Sequence, residues 1–261
     1  MADESLKFLP TIDIHTHFPL SPVTFFISDA KNLPSFDEYL AALNNAHVTE
    51  AVLLCGPKKE SMRQENELLA TRVEPMKRRF LLVAWLNPKY DSPDDFQDLI
   101  EEKNFRGLKL HPVFDGYKLT DPIVKPFVEK AIEFELPIMI HSGWGPEGSV
   151  KDIAALAETY SDGTFVCLHM KEEYGLNDRF SHIEMAAHHP NLFLECSYIP
   201  HPRRLAEAVD VMGVEKILFG SDYPWGARDI TWEKTKVTYA PISYANKKRI
   251  LTENAKDLFN L

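Results

Sequence analysis

Short apolar segments alternate with amphipathic segments along the whole chain, a pattern that predicts buried strands separated by helices. The apolar segments predict eight strands, at residues 11–17, 51–55, 80–86, 105–110, 137–141, 164–169, 192–196 and 216–219. The amphipathic segments predict helices at residues 35–46, 60–73, 92 onwards, 122–134, 149–160, 178–188, 203–212 and 243–259. Ser35 and Glu38 have the spacing of a capping box, and Ser92 precedes a proline at the first position of its helix.

Apolar strands that alternate with helices indicate repeated βαβ units and therefore a parallel sheet. Eight repeats within 261 residues fit a closed (β/α)8 TIM barrel better than an open doubly wound sheet. The glycine-rich loops of nucleotide-binding folds follow none of the predicted strands, which weakens the doubly wound alternative further. Since no polar linker or shift in composition divides the chain, we expect a single domain over residues 1–261.

The composition is that of an ordinary globular protein, with 44% hydrophobic and 26% charged residues. A net charge of −10 argues against nucleic acid or an anionic membrane as a partner. A small-molecule substrate is therefore expected, and a homo-oligomer is compatible with the sequence. Three cysteines far apart in apolar segments predict buried reduced thiols, and the chain begins without a secretory signal pattern. We expect a cytoplasmic protein.

Two histidines end the first predicted strand, in the sequence Thr11-Ile-Asp-Ile-His15-Thr-His17. Side chains alternate between the two faces of a strand, so His15 and His17 project to the same side. Two imidazoles presented together can form half of a metal site, although a His-x-His pair also arises by chance. The interpretation depends on whether further ligands follow at the ends of later strands.

Further polar residues lie at or just beyond the ends of later predicted strands. They are Lys109 and His111 on and after the fourth strand, His141 on the fifth, His169 on the sixth and Asp222 after the eighth. In a (β/α)8 barrel the carboxyl ends of the strands meet at one rim, where active sites lie. A single strand histidine is usually a core residue, but this arrangement would need several coincidences. We therefore predict a metal site at this rim.

The same residues resemble the amidohydrolase superfamily. The resemblance rests on His15-Thr-His17, on His141 in IMIHSG, on His169 in VCLHM and on Asp222 in ILFGSDYPW. More narrowly, the chain is similar to the branch of metal-dependent TIM-barrel hydrolases that includes aminocarboxymuconate-semialdehyde decarboxylase, and FRGLKLHP and ILTENAKDLF are also similar to that branch. The resemblance runs from His15 to the end of the chain, and the charged residues 171–173 depart from it.

The resemblance implies that His15, His17, His141 and Asp222 hold the metal. Asp222 would also accept the proton of an attacking water through its free oxygen. His169 would either bind a second metal or hydrogen-bond the metal-bound water or the substrate. Imidazole and carboxylate ligands suit Zn²⁺, with Mn²⁺ or Fe²⁺ as alternatives. Such an ion lowers the pKa of a bound water and polarises a substrate oxygen.

Lys109 bears on whether the site holds one metal ion or two. In some branches of the superfamily a lysine on the fourth strand is carboxylated and bridges two ions, and the segment KLHP occupies the matching place. An unmodified Lys109 could instead bind a substrate carboxylate as a point charge. One ion is favoured, because the branch that the chain resembles most usually has one.

These features lead to three functional hypotheses. The first is a hydrolase that uses metal-activated water on a C–O or C–N bond of a small acidic or cyclic substrate. The second is a non-oxidative decarboxylase of an aromatic or unsaturated acid. It is placed second because the chain is shorter than typical decarboxylases of the branch and shows no second basic residue at the rim. The third is a non-catalytic metal-binding barrel, placed last because all the expected ligands are present.

Loops at the same rim are expected to shape the substrate pocket. Residues 18–34 form a long, apolar predicted loop, and aromatic residues from this and other loops could form pocket walls, namely Phe25, Phe26, Trp144 and Trp225. His111 shares the strand face of Lys109, so it either reaches the pocket or simply ends the strand.

Overall fold

Eight parallel strands form one sheet in the order in which they follow one another along the chain. The computed structural model describes residues 8–20, 33–143, 145–170 and 181–261. The strands are β1 (Thr11–His17), β2 (Val48–Leu54), β3 (Phe80–Trp85), β4 (Phe105–Leu110), β5 (Ile138–His141), β6 (Phe165–Leu168), β7 (Leu192–Glu195) and β8 (Ile217–Leu218). Each coincides with a predicted strand, although β2 begins earlier than expected and β8 has only two residues.

Helices lie between the strands and follow the last one. They are α1 (Phe36–Asn45), α2 (Arg63–Val73), α3 (Pro93–Lys103), α4 (Pro112–Asp115), α5 (Lys125–Glu133), α6 (Val150–Thr159), α7 (Ser181–His188), α8 (Arg203–Met212), α9 (Ile230–Thr238), α10 (Tyr244–Lys248) and α11 (Asn254–Phe259). The sequence did not predict α4 or α9. The expected start of α7 at residue 178 lies outside the described residues. Within the described ranges, no helix is both long and apolar enough to cross a bilayer.

Two helix starts predicted from capping residues are confirmed. The hydroxyl of Ser35 accepts a hydrogen bond from Glu38 N at 3.3 Å, and the carboxylate of Glu38 accepts one from Ser35 N in return. Ser92 and Asp95 form the same reciprocal pair, and Pro93 is the first residue of α3. These bonds satisfy amide groups that a helix start leaves without an intrahelical partner. The C-terminal helix predicted at residues 243–259 is also present, as α10 and α11 joined by a π-helical turn.

The sheet closes because the segment after β8 hydrogen-bonds back to β1. Ile14 N donates to Phe219 O at 3.0 Å, and Asp222 N donates to His15 O at 2.8 Å. These bonds join the segment after the last strand to the first strand. The described residues therefore form the expected (β/α)8 barrel as a single domain.

Two sets of buried side chains pack against the sheet. The larger set joins the strands to the surrounding helices. The smaller set combines side chains of six strands with residues of α11, which only the barrel interior can bring together: Ile12, Ile14, Val52, Leu54, Leu81, Val83, Met139, Val166, Leu168, Leu218, Ala255 and Phe259. The carbonyl of Phe259 accepts a hydrogen bond from Arg106 near the start of β4, at 3.2 Å. Helix α11 thus covers the amino-terminal end of the barrel, opposite the rim where the strands end.

Replacing Phe259 with alanine should lower the free energy of unfolding by about 3–5 kcal/mol, because it removes a buried ring and leaves a cavity at the covered end of the barrel. Chemical denaturation followed by circular dichroism measures the change. Tyr239→Ala is the matched control, since Tyr239 is 56% exposed and its loss should cost no more than about 0.5 kcal/mol. Equal free energies of unfolding for the two variants would contradict a sealing role of α11.

Candidate metal centre

One pocket opens at the rim where the strands end. Every strand contributes to its lining, either from its own last residues or from the residues that follow it. In strand order, these residues are His15 and His17, Pro57, Trp85, Lys109, His141, His169, Tyr198 and Asp222. The structure therefore brings the polar residues singled out at the strand ends into one cavity.

Three possible ligand atoms form a small triangle in this pocket. The Nε2 atoms of His15 and His17 lie 3.2 Å apart, and each lies 3.3 Å from Oδ1 of Asp222. All three side chains are buried. The closure of the barrel explains their proximity, because the hydrogen bond from Asp222 N to His15 O places the two residues side by side.

The second nitrogen of each ring determines what faces the triangle. Nδ1 of His17 lies 2.9 Å from the carbonyl oxygen of Cys55, which can only accept, so this nitrogen carries a proton. Nδ1 of His15 lies 3.3 Å from Oε2 of Glu195. Burial lowers the pKa of His15 well below its usual value, so the ring is neutral with its proton on Nδ1. The Nε2 lone pair of His15 therefore points at the carboxylate of Asp222.

The triangle fits a divalent metal ion. Nitrogen lone pairs and a carboxylate oxygen held this close repel one another unless a cation lies between them. Tetrahedral coordination at about 2.0–2.1 Å separates ligand atoms by about 3.3–3.4 Å. The observed separations of 3.2 and 3.3 Å are close to that value. His15, His17 and Asp222 are accordingly one of the groups whose ligand atoms could share an ion.

His141 and His169 lie together beside the triangle. Nδ1 of His141 is 2.9 Å from Nε2 of His169, and the rings of His169 and His15 are 5.1 Å apart between centroids. Nδ1 of His169 is 2.7 Å from the hydroxyl of Ser197. Both ring nitrogens of His169 thus meet side chains of the protein. Among the described residues, His141 belongs to neither group of side chains close enough to share an ion.

Glu195, the last residue of β7, is a site residue that the sequence analysis missed. Its Oε2 atom accepts hydrogen bonds from His169 N at 3.1 Å and from the hydroxyl of Ser197 at 2.8 Å. Its Oε1 atom accepts one from Ser197 N. Burial raises the pKa of Glu195, and these hydrogen bonds oppose the shift. His15, His169 and Glu195 form the second close group, but protein donors already occupy this carboxylate, so the first group is the better candidate.

The second oxygen of Asp222 was expected to be free, and here the expectation was wrong. The hydroxyl of Tyr198 donates a hydrogen bond to Oδ2 of Asp222 at 2.9 Å. Burial acts to raise the pKa of Asp222, but neighbouring cationic groups, Lys109 among them, outweigh it and hold the pKa below its usual value. Asp222 is therefore ionised at neutral pH, with one oxygen toward the histidine pair and the other toward Tyr198.

Lys109 presents a buried amine to the same pocket. Its side chain is 1% exposed, and Nζ lies 6.0 Å from the centre of the Trp85 ring. Burial lowers the pKa of Lys109 to about 7, although the carboxylates of Asp222 and Glu195 act in the opposite direction. In the described part of the chain, no carboxylate is close enough to form an ion pair with this amine. Lys109 is therefore suited to meet a negative group of a ligand.

Stacked flat rings form one side of the pocket. The rings of Trp85 and His111 stack at 5.2 Å between centroids, and those of His111 and His141 stack at 3.7 Å. Phe114 N donates to Nδ1 of His111 at 3.2 Å, and burial lowers the pKa of His111 well below its usual value. The neutral ring therefore carries its proton on Nε2. Of the two roles expected for His111, the structure shows that it reaches the pocket.

The segment after β8 supplies two further residues of the lining. Trp225 was expected to form a pocket wall and lies in the lining, with its ring centroid 6.5 Å from that of His17. Arg228 also lines the pocket and is exposed, so it supplies the second basic residue that was not identified at the rim from sequence. The remaining expected wall residues, Phe25, Phe26 and Trp144, lie outside the described residues.

Three residues of the site adopt left-handed backbone conformations. The φ angles are 68° for His169, 61° for Tyr198 and 57° for Asp222. Residues other than glycine rarely adopt such angles, which cost about 1–2 kcal/mol each. All three lie within four residues of the end of a strand, where the chain turns away from the barrel while the side chain still lines the pocket.

A closed barrel of parallel strands with this cluster of histidines and one aspartate at its carboxyl rim is typical of metal-dependent (β/α)8 enzymes. Residues 12–261 match the sequence model of the amidohydrolase family, and the chain belongs to that family. The resemblance inferred from its motifs is thereby confirmed. None of the curated proteins compared with the chain matched it.

Solved structures similar to this one include decarboxylases and a hydrolase. A dihydroxybenzoic acid decarboxylase from Polaromonas sp. JS666, with bound manganese and the inhibitor 2-nitroresorcinol, is 16% identical with a TM-score of 0.74, over 97% of each chain. A 5-carboxyvanillate decarboxylase from Novosphingobium aromaticivorans DSM 12444, complexed with manganese and 4-hydroxy-3-methoxy-5-nitrobenzoic acid, is 13% identical with a TM-score of 0.73, over 98% of this chain and 97% of the other. A probable 2-pyrone-4,6-dicarboxylic acid hydrolase from Acinetobacter baumannii, with citric acid bound, is 14% identical with a TM-score of 0.71, over 97% and 100%. At such identities the similarity establishes the fold alone.

Replacing Lys109 with methionine tests the desolvation of its amine. A lysine with a pKa of about 7 in the folded protein and about 10.4 in the unfolded chain takes up a proton on unfolding between these two pH values. The free energy of unfolding of the metal-free wild type, relative to that of Lys109→Met, should therefore rise from pH about 7 to about 10. Denaturant titrations across this range measure the difference. A difference that does not vary with pH would contradict the burial of a titrating amine.

Proposed function

We propose that this protein is a metal-dependent decarboxylase of a small planar carboxylic acid, with hydrolysis at the same site as the second candidate. The observation that supports the proposal is a single pocket of about 310 Å³. In it, the triangle of His15, His17 and Asp222 meets the amine of Lys109 and walls of aromatic rings. A volume of this size suits a substrate built on one ring.

The metal centre is proposed to consist of His15, His17, His141 and Asp222. Three of these form the triangle, and His141 lies in the same pocket with Nδ1 toward His169, so Nε2 would be its ligand atom. The imidazole and carboxylate donors suit one Zn²⁺ ion, with Mn²⁺ or Fe²⁺ as the alternatives. When bound, such an ion would polarise an oxygen of the substrate.

Lys109 is proposed to bind the carboxylate of the substrate, because its buried amine faces the pocket and meets no carboxylate of the described chain at ion-pair distance. The stacked rings of Trp85, His111 and His141 would form an aromatic wall beside a planar substrate, and the Nε2–H group of His111 would donate a hydrogen bond to it. Arg228 at the pocket mouth would meet a second negative group. These contacts together favour planar, anionic substrates.

Decarboxylation breaks the bond between the carboxylate carbon and the rest of the substrate. As CO₂ leaves, the electron pair stays on the remaining carbon, which must receive a proton. Asp222, which is ionised, would take up this proton from solvent and transfer it to the carbon, while Tyr198 orients the carboxylate through its hydrogen bond to Oδ2.

Hydrolysis is the second candidate, and the ionised state of Asp222 favours it. In that reaction, Asp222 would accept the proton of a water that attacks a C–O or C–N bond. His169, which is bonded to His141 and Ser197, would then position the histidines rather than contact the substrate. Both reactions would use the same metal ligands and the same basic residues.

We rank decarboxylation above hydrolysis because the structure removes the two arguments for hydrolysis, namely the length of the chain and the lack of a second basic residue. The shorter length of the chain does not separate the activities, since the structural similarity extends over 97% of each decarboxylase chain. The second basic residue is present as Arg228. A non-catalytic barrel is the weakest hypothesis, because the protein belongs to an enzyme family and its pocket combines acidic, basic and aromatic groups.

Two aspects of the cellular setting are also proposed. The buried thiols of Cys55, Cys167 and Cys196 are reduced, which suits the cytoplasm. The net charge of −10 supports small molecules, rather than nucleic acid or anionic membranes, as the partners of this protein.

Alanine at His15 or His17 should lower metal affinity by about 100-fold or more, because each variant loses a direct metal ligand. Loss of a residue that only hydrogen-bonds a ligand already lowers the affinity by about 10–100-fold. Elemental analysis after dialysis, with chelator competition, measures affinity and stoichiometry. His188→Ala is the matched control, since His188 is an exposed histidine at the end of α7. The wild type should hold one ion per chain. Two ions would favour a carboxylated Lys109 as a bridge, and undiminished metal in His15→Ala would refute the ligand assignment.

Metal-loaded protein should release CO₂ from a member of a panel of hydroxybenzoates and muconate-type acids, while lactones and esters test hydrolysis. Asp222→Asn should lower kcat by about 10²–10⁴-fold, because it removes the group that moves the proton. Circular dichroism checks that this variant folds. Opening of a lactone without CO₂ release from any acid would place hydrolysis first, and no turnover of any compound would favour the non-catalytic barrel.

A further inference from the structure

A continuous chain of hydrogen bonds runs behind the metal triangle. It starts at Nδ1 of His141, which lies 2.9 Å from Nε2 of His169. Nδ1 of His169 lies 2.7 Å from the hydroxyl of Ser197, and this hydroxyl donates to Oε2 of Glu195 at 2.8 Å. From the other side, Nδ1 of His15 reaches the same Oε2 atom at 3.3 Å. Three histidines of the site are therefore linked to one carboxylate.

The carboxylate at the end of the chain sets the direction of every bond in it. The hydroxyl of Ser197 donates its only proton to Glu195, so it accepts from Nδ1 of His169. The Nε2 atom of His169 then has a lone pair, which accepts from Nδ1 of His141. With Nδ1 protonated in each ring, Nε2 is the ligand atom of His15 and of His141.

The position of Glu195 is itself tightly restrained. The residue is completely buried, and the amides of His169 and Ser197 donate to its two oxygens. Gly220, just after β8, leaves the space that this side chain fills, because a Cβ atom at residue 220 would lie 2.5 Å from Oε1 of Glu195. The carboxylate therefore has no room to turn away from the histidines.

We propose that Glu195 is the positioning residue of the metal centre. Its carboxylate keeps the proton of His15 on Nδ1 and, through Ser197 and His169, keeps that of His141 on Nδ1. The proposal rests on the proposed metal centre but not on which reaction the enzyme catalyses. Mutation of a carboxylate that orients a ligand histidine typically lowers metal affinity by about 10–100-fold.

Glu195→Gln tests the proposal because it preserves size and shape but replaces one acceptor by a donor amide. Whichever way the amide is turned, it meets a donor, either at His15 and Ser197 Oγ or at Ser197 N. Metal affinity, measured by chelator competition, should fall by about 10–100-fold. In the metal-free protein, ¹⁵N NMR of labelled histidines should show the proton of at least one ring moving from Nδ1 to Nε2.

Two further variants separate the parts of the chain of hydrogen bonds. Gly220→Ala displaces the carboxylate without changing its charge, so it should reproduce both effects. Ser197→Ala removes the link to His169 and His141, so it should alter their tautomers while His15 keeps its proton on Nδ1. Glu233→Gln is the matched control, since Glu233 is a buried glutamate that pairs with Lys236 at 2.8 Å, and this variant should bind metal as the wild type does.

A folded Glu195→Gln protein with wild-type metal affinity and unchanged tautomers would overturn the inference. A wild-type protein that binds no divalent ion would instead overturn the proposed metal centre, so the two failures are distinguishable. If Glu195→Gln does not fold, Gly220→Ala and Ser197→Ala provide the same test, and wild-type affinity in both would overturn the inference.

Discussion

The hydrogen bond from Asp222 N to His15 O is the contact on which the rest of the site depends. It joins Asp222, in the segment after β8, to His15 on β1. The closure of the barrel therefore also assembles the metal triangle. A slip of one residue in this pairing would turn side chains to the opposite face of the strand. The histidine pair and the aspartate would then separate, although each strand could remain intact.

Closure of the barrel also buries groups that water would otherwise stabilise, and the protein limits this cost in two ways. Hydrogen bonds offset part of the free energy lost on burial. At Asp13, for example, Oδ1 accepts hydrogen bonds from His15 N and from Ser221 N. Other buried groups favour their uncharged forms. Burial raises the pKa of Asp13 to about 8 and lowers that of Lys109 to about 7. Asp222 is the exception, since its pKa lies below the usual value and its carboxylate stays ionised.

The barrel could be predicted because its strands are short apolar runs between amphipathic helices, a pattern that depends only on local sequence. Placing polar residues at strand ends then located seven of the fifteen residues that line the pocket. Glu195 and Tyr198 follow the same rule, but they stand in the apolar run FLECSY and were not considered as site residues. Helix α9 escaped prediction because its buried residues include Glu233, Lys234 and Lys236, which leave no apolar stripe. Tautomers, ring stacking and the position of Arg228 depend on distances between elements, which no local pattern contains.

Gly220 restricts how this sequence can change during evolution. Its small size serves the neighbouring Glu195 rather than its own backbone conformation, because a Cβ atom would collide with that carboxylate. The two positions therefore cannot vary independently, and a larger residue at 220 requires a shorter one at 195. Among related chains, residues at these positions should change together. A chain that keeps both glycine and glutamate there would share the same environment around its histidines.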